Sequence, residues 1–178
     1  MLSRFLHNSS KRSKEPFIAV NCAAVPDTML EAVLFGYERG AFTGAHHPNK
    51  GIFRAADGGT LLLDEVSEMA LHLQAKFLRV LQEKEVTPLG GAKPVPVDIR
   101  VIATSNRHML DEVKVGRFRE DLYYRLNVFP LATQSLSERV GDILPITIAL
   151  LAKHCGGFAK IPSMTNAAIE KLEQHDCI

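Results

Sequence analysis

The sequence predicts an α/β domain built on a parallel sheet covered by helices, and three observations carry that expectation. Gly58-Gly59-Thr60-Leu61-Leu62-Leu63-Asp64-Glu65 is an apolar run ending in two adjacent carboxylates, the pattern of a strand buried on both faces of a parallel sheet. Asp98-Ile99-Arg100-Val101-Ile102-Ala103-Thr104 is a second such run. Ala70 to Gln82 places Leu73, Phe77, Val80 and Leu81 at spacings of three and four, with Gln74, Lys76, Arg79 and Gln82 expected to face out, which is the period of an amphipathic helix.

Taken in order, residues 1–9 read as an amphipathic helix with Leu2, Phe5 and Leu6 on one face. After a polar, basic linker over 9–15, Pro16-Phe17-Ile18-Ala19-Val20 reads as a short buried strand ending at Asn21-Cys22. Pro26-Asp27 opens a helix whose apolar face is Leu30, Val33 and Leu34, and Gly36 ends it. His46-His47-Pro48-Asn49 makes a turn, and residues 50–57 a short helix with Ile52, Phe53 and Ala56 inward. The adjacent histidines do not share a helix face, and no cysteine or carboxylate stands at ligand spacing, so loop-tip polar residues are expected there in place of a metal site.

The segment Gly36-Tyr37-Glu38-Arg39-Gly40-Ala41-Phe42-Thr43-Gly44-Ala45 interrupts this helical patterning. Gly40 and Gly44 can take positive φ and form a tight loop with Phe42 and Thr43 at its tip. Two readings are open: the loop presents Phe42 to a partner, or Phe42 folds back into the core.

The carboxylates of Gly58–Glu65 also have two readings. Ligands in open α/β sheets sit at the carboxyl ends of strands, so Asp64 could hold Mg²⁺ and Glu65 polarise a water, a Walker B arrangement. The alternative is an acidic helix N-terminus. Past the helix, Gly90, Gly91, Pro94 and Pro96 break regular structure over 83–97, with Val86 and Val95 suited to a hairpin. The strand over 98–104 delivers Ser105-Asn106-Arg107, where Asn106 could bond a phosphate or a water, or Ser105 or Asn106 could cap a helix.

Arg119 and Arg125 lie in Arg-Phe-Arg-Glu-Asp-Leu-Tyr-Tyr-Arg-Leu and are too far apart to share one helix face. Either they reach a phosphate in a neighbouring subunit, or they belong to a charged helix with pairing such as Asp121 to Arg125. Residues 125–131 are expected to contain the last core strand, and 142–154 and 163–174 to be helices.

Composition bounds the rest. The 178 residues are 46% hydrophobic, enough for a real core. The net charge of +1, from 21 basic and 20 acidic residues, does not announce nucleic-acid binding. Cys22, Cys155 and Cys177 are widely spaced and form no CxxC pair, which indicates neither a disulfide framework nor zinc and fits a reducing cytoplasm. No apolar run approaches the length of a membrane span, and neither export nor membrane anchoring is expected.

Gly40 to Ala45, reading GAFTGA, together with Gly58 to Glu65, resembles the central ATPase domain of the bacterial sigma-54-dependent activators, or enhancer-binding proteins, of the AAA+ superfamily. The similarity runs over nearly the whole chain. It implies an AAA+ P-loop NTPase-type parallel sheet sandwiched by helices over residues 1–135, and the start of a helical lid over 136–178. It implies ATP and Mg²⁺ as cofactors, sigma-54 RNA polymerase as partner, self-association into a ring (a hexamer in the family), no direct contact with DNA by this chain, and a cytoplasmic location. By the same resemblance Gly40, Ala41, Phe42, Thr43, Gly44 and Ala45 contact sigma-54. Asp64 and Glu65 are the Walker B pair, with Asp64 on the Mg²⁺ of the nucleotide. Asn21 restrains Glu65, Asn106 is the sensor I residue, and Arg119 and Arg125 are an arginine pair acting in trans. Residues 83–97 would form a second loop near the first.

The sequence departs from the family pattern at three places. Pro88 stands where an arginine is usual, and Gln134-Ser135-Leu136-Ser137-Glu138-Arg139 replaces Pro-Pro-Leu-Arg-Glu-Arg at the hinge into the lid. A phosphate-binding Gly-x-x-x-x-Gly-Lys-Ser/Thr loop is not found, since no Gly-Lys dipeptide occurs in the sequence. The resemblance places that loop and the first core strand ahead of residue 1, and the sensor II arginine beyond residue 178. Truncation at both ends is therefore expected, with two strand edges left unpaired and no hydrolysis by this chain alone. The alternative is a non-catalytic interaction module, or a gene fragment, binding sigma-54 or ring partners without turnover.

Overall fold

The structure is a computed structural model that describes residues 2–158 and 162–175; Met1 and Cys177 lie outside them. Two units divide the chain, residues 1–129 and 130–178.

The first unit is organised on three parallel strands, β1 (Phe17–Asn21), β2 (Thr60–Asp64) and β5 (Arg100–Ala103), in the order β1-β2-β5. Asn21 is in register with Asp64, and Leu63 with Ala103, so the carboxyl ends of all three strands lie level. The apolar runs form the strands because Leu61 and Leu63 are fully buried against a continuous core. That core draws Leu30 and Leu34 from α2 (Asp27–Phe35), Phe53 from α3 (Gly51–Ala55), and Leu73, Phe77, Val80 and Leu81 from α4 (Leu71–Glu83). Phe118 and Leu122, the latter on α6 (Glu120–Leu126), complete it. Phe35, Phe53 and Phe77 run through its centre, with ring centroids 5.1 and 5.7 Å apart, spacings suited to tilted and offset aromatic packing.

Two glycines let α2 and α3 meet. Gly36 (φ 76°) ends α2 and Gly51 (φ 71°) begins α3, and a Cβ on Gly51 would stand 2.3 Å from the Gly36 nitrogen. Only residues without a side chain allow that approach. Val86 and Val95 pair in a short antiparallel hairpin of β3 (Glu85–Val86) and β4 (Val95–Pro96), as their β-branching suggests.

Three expectations are corrected. On α1 (Leu2–Asn8) the buried residue is His7, while Leu2 and Phe5 are exposed. His7 Nδ1 lies 3.0 Å from Oγ1 of Thr60, the first residue of β2, and its ring packs on Phe17, so the face carrying His7 is the one turned inward. On α4, Gln74 does not face out; it is fully buried. Residues 125–131 form no strand among the described residues: Arg125 lies in the last turn of α6, and Val128 and Phe129 are exposed. An extended segment needs a neighbouring strand for its backbone groups, and β5 is paired to β2 alone.

In the second unit, α7 (Ile143–Cys155) ends at Gly156 in the left-handed conformation. There, α8 (Asn166–Glu173) is capped by the Thr165 hydroxyl, which accepts from Ala168 N. Among the described residues no helix is long and apolar enough to cross a membrane.

Candidate functional site at the strand ends

The level carboxyl ends of β1, β2 and β5 bring Asn21, Asp64, Glu65 and Asn106 together. Thr104 Oγ1 donates to Asp64 Oδ1 at 2.5 Å, and Asn21 Nδ2 donates to Asp64 Oδ2 at 3.2 Å. Asn21 is itself held, because its Oδ1 accepts from the backbone N–H groups of Ala23 and Ala24 at 2.8 and 3.1 Å. The half-buried Asp64 carboxylate is thus oriented from both sides, with acceptor capacity left on each oxygen.

Glu65 leaves the strand with φ 54° and ψ 49°, a left-handed conformation uncommon for a residue with a side chain. Strain of this kind concentrates at functional sites. Here Glu65 Oε2 accepts from the Asn106 N–H beyond the end of β5, at 3.3 Å. Asn21, which the resemblance pairs with Glu65, bonds its in-register neighbour Asp64 here, and no Asn21–Glu65 hydrogen bond occurs among the described residues. Backbone bonds staple the strand ends, Thr104 N to Leu63 O and Val66 N to Thr104 O, both 2.9 Å. Cys22, buried beside this edge, has its thiol pushed up to about 11, first by burial and then by the Asp64 charge. It is a packing residue and not a nucleophile.

Neither Ser105 nor Asn106 caps a helix. Ser105 Oγ donates to Ser67 Oγ at 2.9 Å and accepts from Arg107 N at 3.0 Å, while α5 (Met109–Lys114) starts from His108 without a side-chain cap. Arg107 instead pairs with Glu68 at 2.8 Å and Glu112 at 3.2 Å. Glu112, buried, also takes a forked contact from Arg117 at 2.7 and 2.9 Å. Those Arg117 bonds, then those of Arg107, hold its carboxyl down to about 2 against the opposing effect of burial.

The ladder Glu68–Arg107–Glu112–Arg117 leads from the turn after β2 to the segment carrying Arg119. Arg119 precedes α6 and makes a two-pronged contact with Asp121 at 3.0 and 2.7 Å. Arg125 donates to the Leu81 carbonyl at 3.0 Å. The pairing of Asp121 with Arg125 is thus not made. Both guanidinium groups belong to exposed residues. Gln74, Thr104 and the ladder were not singled out by sequence reasoning, although Gln74 interrupts an apolar stripe, which is a readable signal.

The GAFTGA segment is a self-bonded loop. Gly40 N donates to Ala45 O at 2.9 Å and Ala45 N to Phe42 O at 3.0 Å, with Gly40 at φ 81° and Gly44 at φ 99°. Phe42 does not fold into the core: it is 45% exposed, with its ring set edgewise on Tyr37 at 4.9 Å. The second loop lies beside the first, since Glu38 N donates to Leu89 O and a Cβ on Gly90 would stand 2.9 Å from Ala41 Cβ. Pro88 is buried in this second loop.

A parallel sheet with paired carboxylates at the end of one strand and an asparagine just beyond the next is the arrangement expected of an AAA+-type α/β domain. The chain belongs to the sigma-54 interaction domain family, whose model matches residues 1–132. It is 61% identical over 154 residues to the response regulator protein FleR of Pseudomonas aeruginosa, covering 86% of this chain and 33% of that protein. It is 52% identical over 171 residues to the transcriptional regulatory protein FlbD of Caulobacter vibrioides, covering 96% and 36%. Among solved structures, NtrX from Brucella abortus in complex with ADP superposes with a TM-score of 0.87 at 33% identity, covering 98% of this chain and 38% of that one. The chain thus spans about a third of the length of these relatives.

Proposed function

We propose that this chain is the part of a sigma-54-dependent transcription activator that couples ATP hydrolysis to remodelling of sigma-54 RNA polymerase. One observation carries the reading: an oriented carboxylate pair at the strand ends occurs together with an exposed glycine-framed loop, in a chain belonging to the sigma-54 interaction domain family. Residues 1–135 serve as the α/β core and 136–178 as the start of a helical lid.

The strand-end residues fit a nucleotide-borne Mg²⁺. Asp64 keeps outward acceptor capacity while Thr104 and Asn21 fix its plane, and a hard cation asks for such an oxygen donor. When bound, Mg²⁺–ATP supplies the phosphoanhydride and the charge neutralisation that hydrolysis needs. Glu65 holds a water at its carboxylate and accepts its proton, with the Asn106 N–H keeping that carboxylate in place. The Asn106 side chain hydrogen-bonds a phosphate oxygen or the water. Arg119 and Arg125 act on the nucleotide of the next subunit in a ring, by family a hexamer, where a planar guanidinium suits phosphoryl charge. Residues 40–45, with Phe42 and Thr43 foremost, touch sigma-54. This chain touches DNA only through its partners and works in the cytoplasm.

No Gly-Lys dipeptide lies within the 178 residues, and without a phosphate-binding lysine these residues by themselves are not expected to turn ATP over in this reading. Glu65→Gln in the complete protein is expected to keep ATP binding and stop turnover. Unchanged turnover in an ATPase assay would refute the catalytic role.

A further inference from the structure

Gln74 is the largest polar side chain fully buried in the structure, and every one of its polar groups is used. Its Nε2 donates to Met69 O at 2.7 Å and to Arg117 O at 3.0 Å, and its Oε1 accepts from Arg119 N at 2.8 Å. Met69 ends the turn that follows the Asp64-Glu65 pair, and residues 117–119 lead into α6. One amide on α4 therefore ties the exit of β2 to the backbone of Arg119.

The chemistry of the site is selective for an amide. It needs two donors for two carbonyls and one acceptor for an N–H, which glutamine alone supplies at this length. A carboxylate would face two carbonyl oxygens, and an apolar side chain would leave the three backbone groups without these partners. Arg119 precedes the first residue of α6, where the initial N–H groups of a helix lack intrahelical partners. Gln74 satisfies the backbone N–H of Arg119, while that residue's guanidinium lies on the exposed side, held by Asp121.

We propose that Gln74 is a positioning residue for Arg119: it fixes the backbone from which the guanidinium reaches the neighbouring subunit, and registers that backbone to the carboxylates of its own subunit. This rests on the reading above in which Arg119 acts in trans. Gln74 touches neither nucleotide nor metal. Its loss shifts a trans contact and leaves the site of its own subunit able to work.

Subunit mixing in the complete protein tests this. Gln74→Met keeps the volume and removes the hydrogen bonds. Alone, it is expected to lower kcat for ATP about 100-fold, the scale for misplacing a catalytic group by about 1 Å, with KM little changed. Mixed with Glu65→Gln subunits, which lack turnover at their own site but offer an intact Arg119, it is expected to regain activity, because Gln74→Met sites then meet well-placed arginines. Failure of a folded, assembled Gln74→Met protein to regain activity in the mixture would overturn the proposal.

Arg119→Ala mixed with Glu65→Gln is the control for the underlying reading. If that mixture stays inactive, the trans role of Arg119 fails and the proposal falls with it; if it recovers while Gln74→Met does not, the proposal alone is wrong. Should Gln74→Met not fold, amide exchange in the unaltered protein decides. The Arg119 N–H, bonded to a buried oxygen, is expected to exchange about 100-fold more slowly than that of Glu120. Equal rates would overturn the brace.

Discussion

Thr104 Oγ1 donates to Asp64 Oδ1 across the β2–β5 pair, so the carboxylate at the end of one strand is aimed by the hydroxyl at the end of the next. Such supporting bonds commonly set metal affinity by a factor of about 10 to 100. Thr104→Val keeps the branched shape and removes the donor. In the complete protein it is expected to raise the Mg²⁺ concentration needed for half-maximal ATP hydrolysis by about 10-fold or more. An unchanged Mg²⁺ titration would show that Asp64 needs no such support.

The Glu112 pair with Arg117 and Arg107 makes stability depend on acid. Its folded carboxyl sits at about 2, below the ordinary 4.5. A depressed carboxylate contributes fully above its unfolded value, and the contribution fades as pH falls from 4.5 toward about 2. Glu112→Gln is expected to lower Tm at neutral pH and flatten the acid limb of the stability profile in that window. Thermal melts of both proteins from pH 7 down to about 2 measure it.

Gly51→Ala is expected to destabilise the fold by at least about 2 kcal/mol, because the new Cβ meets backbone at Gly36 and the residue sits at positive φ. Urea unfolding gives the value directly. Gly116, also at positive φ but with nothing within 4 Å of the place a Cβ would occupy, is the contrasting site, where alanine meets strain without collision.

The strands, α4 and the hairpin were legible because their signals are local: apolar runs, a stripe at helical spacing, and Val86 facing Val95. The candidate residues Asp64, Glu65 and Asn106 were legible because they terminate such runs. What was not legible depends on partners distant in sequence. Gln74 looks like a surface residue until the 117–119 backbone arrives beside it, His7 is drawn inward by Thr60, and Asn21 reaches Asp64 because of the sheet register. The extended segment expected over 125–131 has strand-like residues, yet a strand is made by its neighbour as much as by its own sequence.

In the proposed reading, hydrolysis and polymerase contact reside in different parts of this domain, and Phe42→Ala in the complete protein separates the two. Phe42 is exposed at a loop whose backbone bonds are largely its own. Losing an aromatic anchor of a contact surface costs about 2 kcal/mol or more of binding. ATP hydrolysis and sigma-54-dependent transcription would be measured side by side on the same preparation. Transcription is expected to be abolished with hydrolysis largely intact. Hydrolysis lost with polymerase contact retained would contradict it.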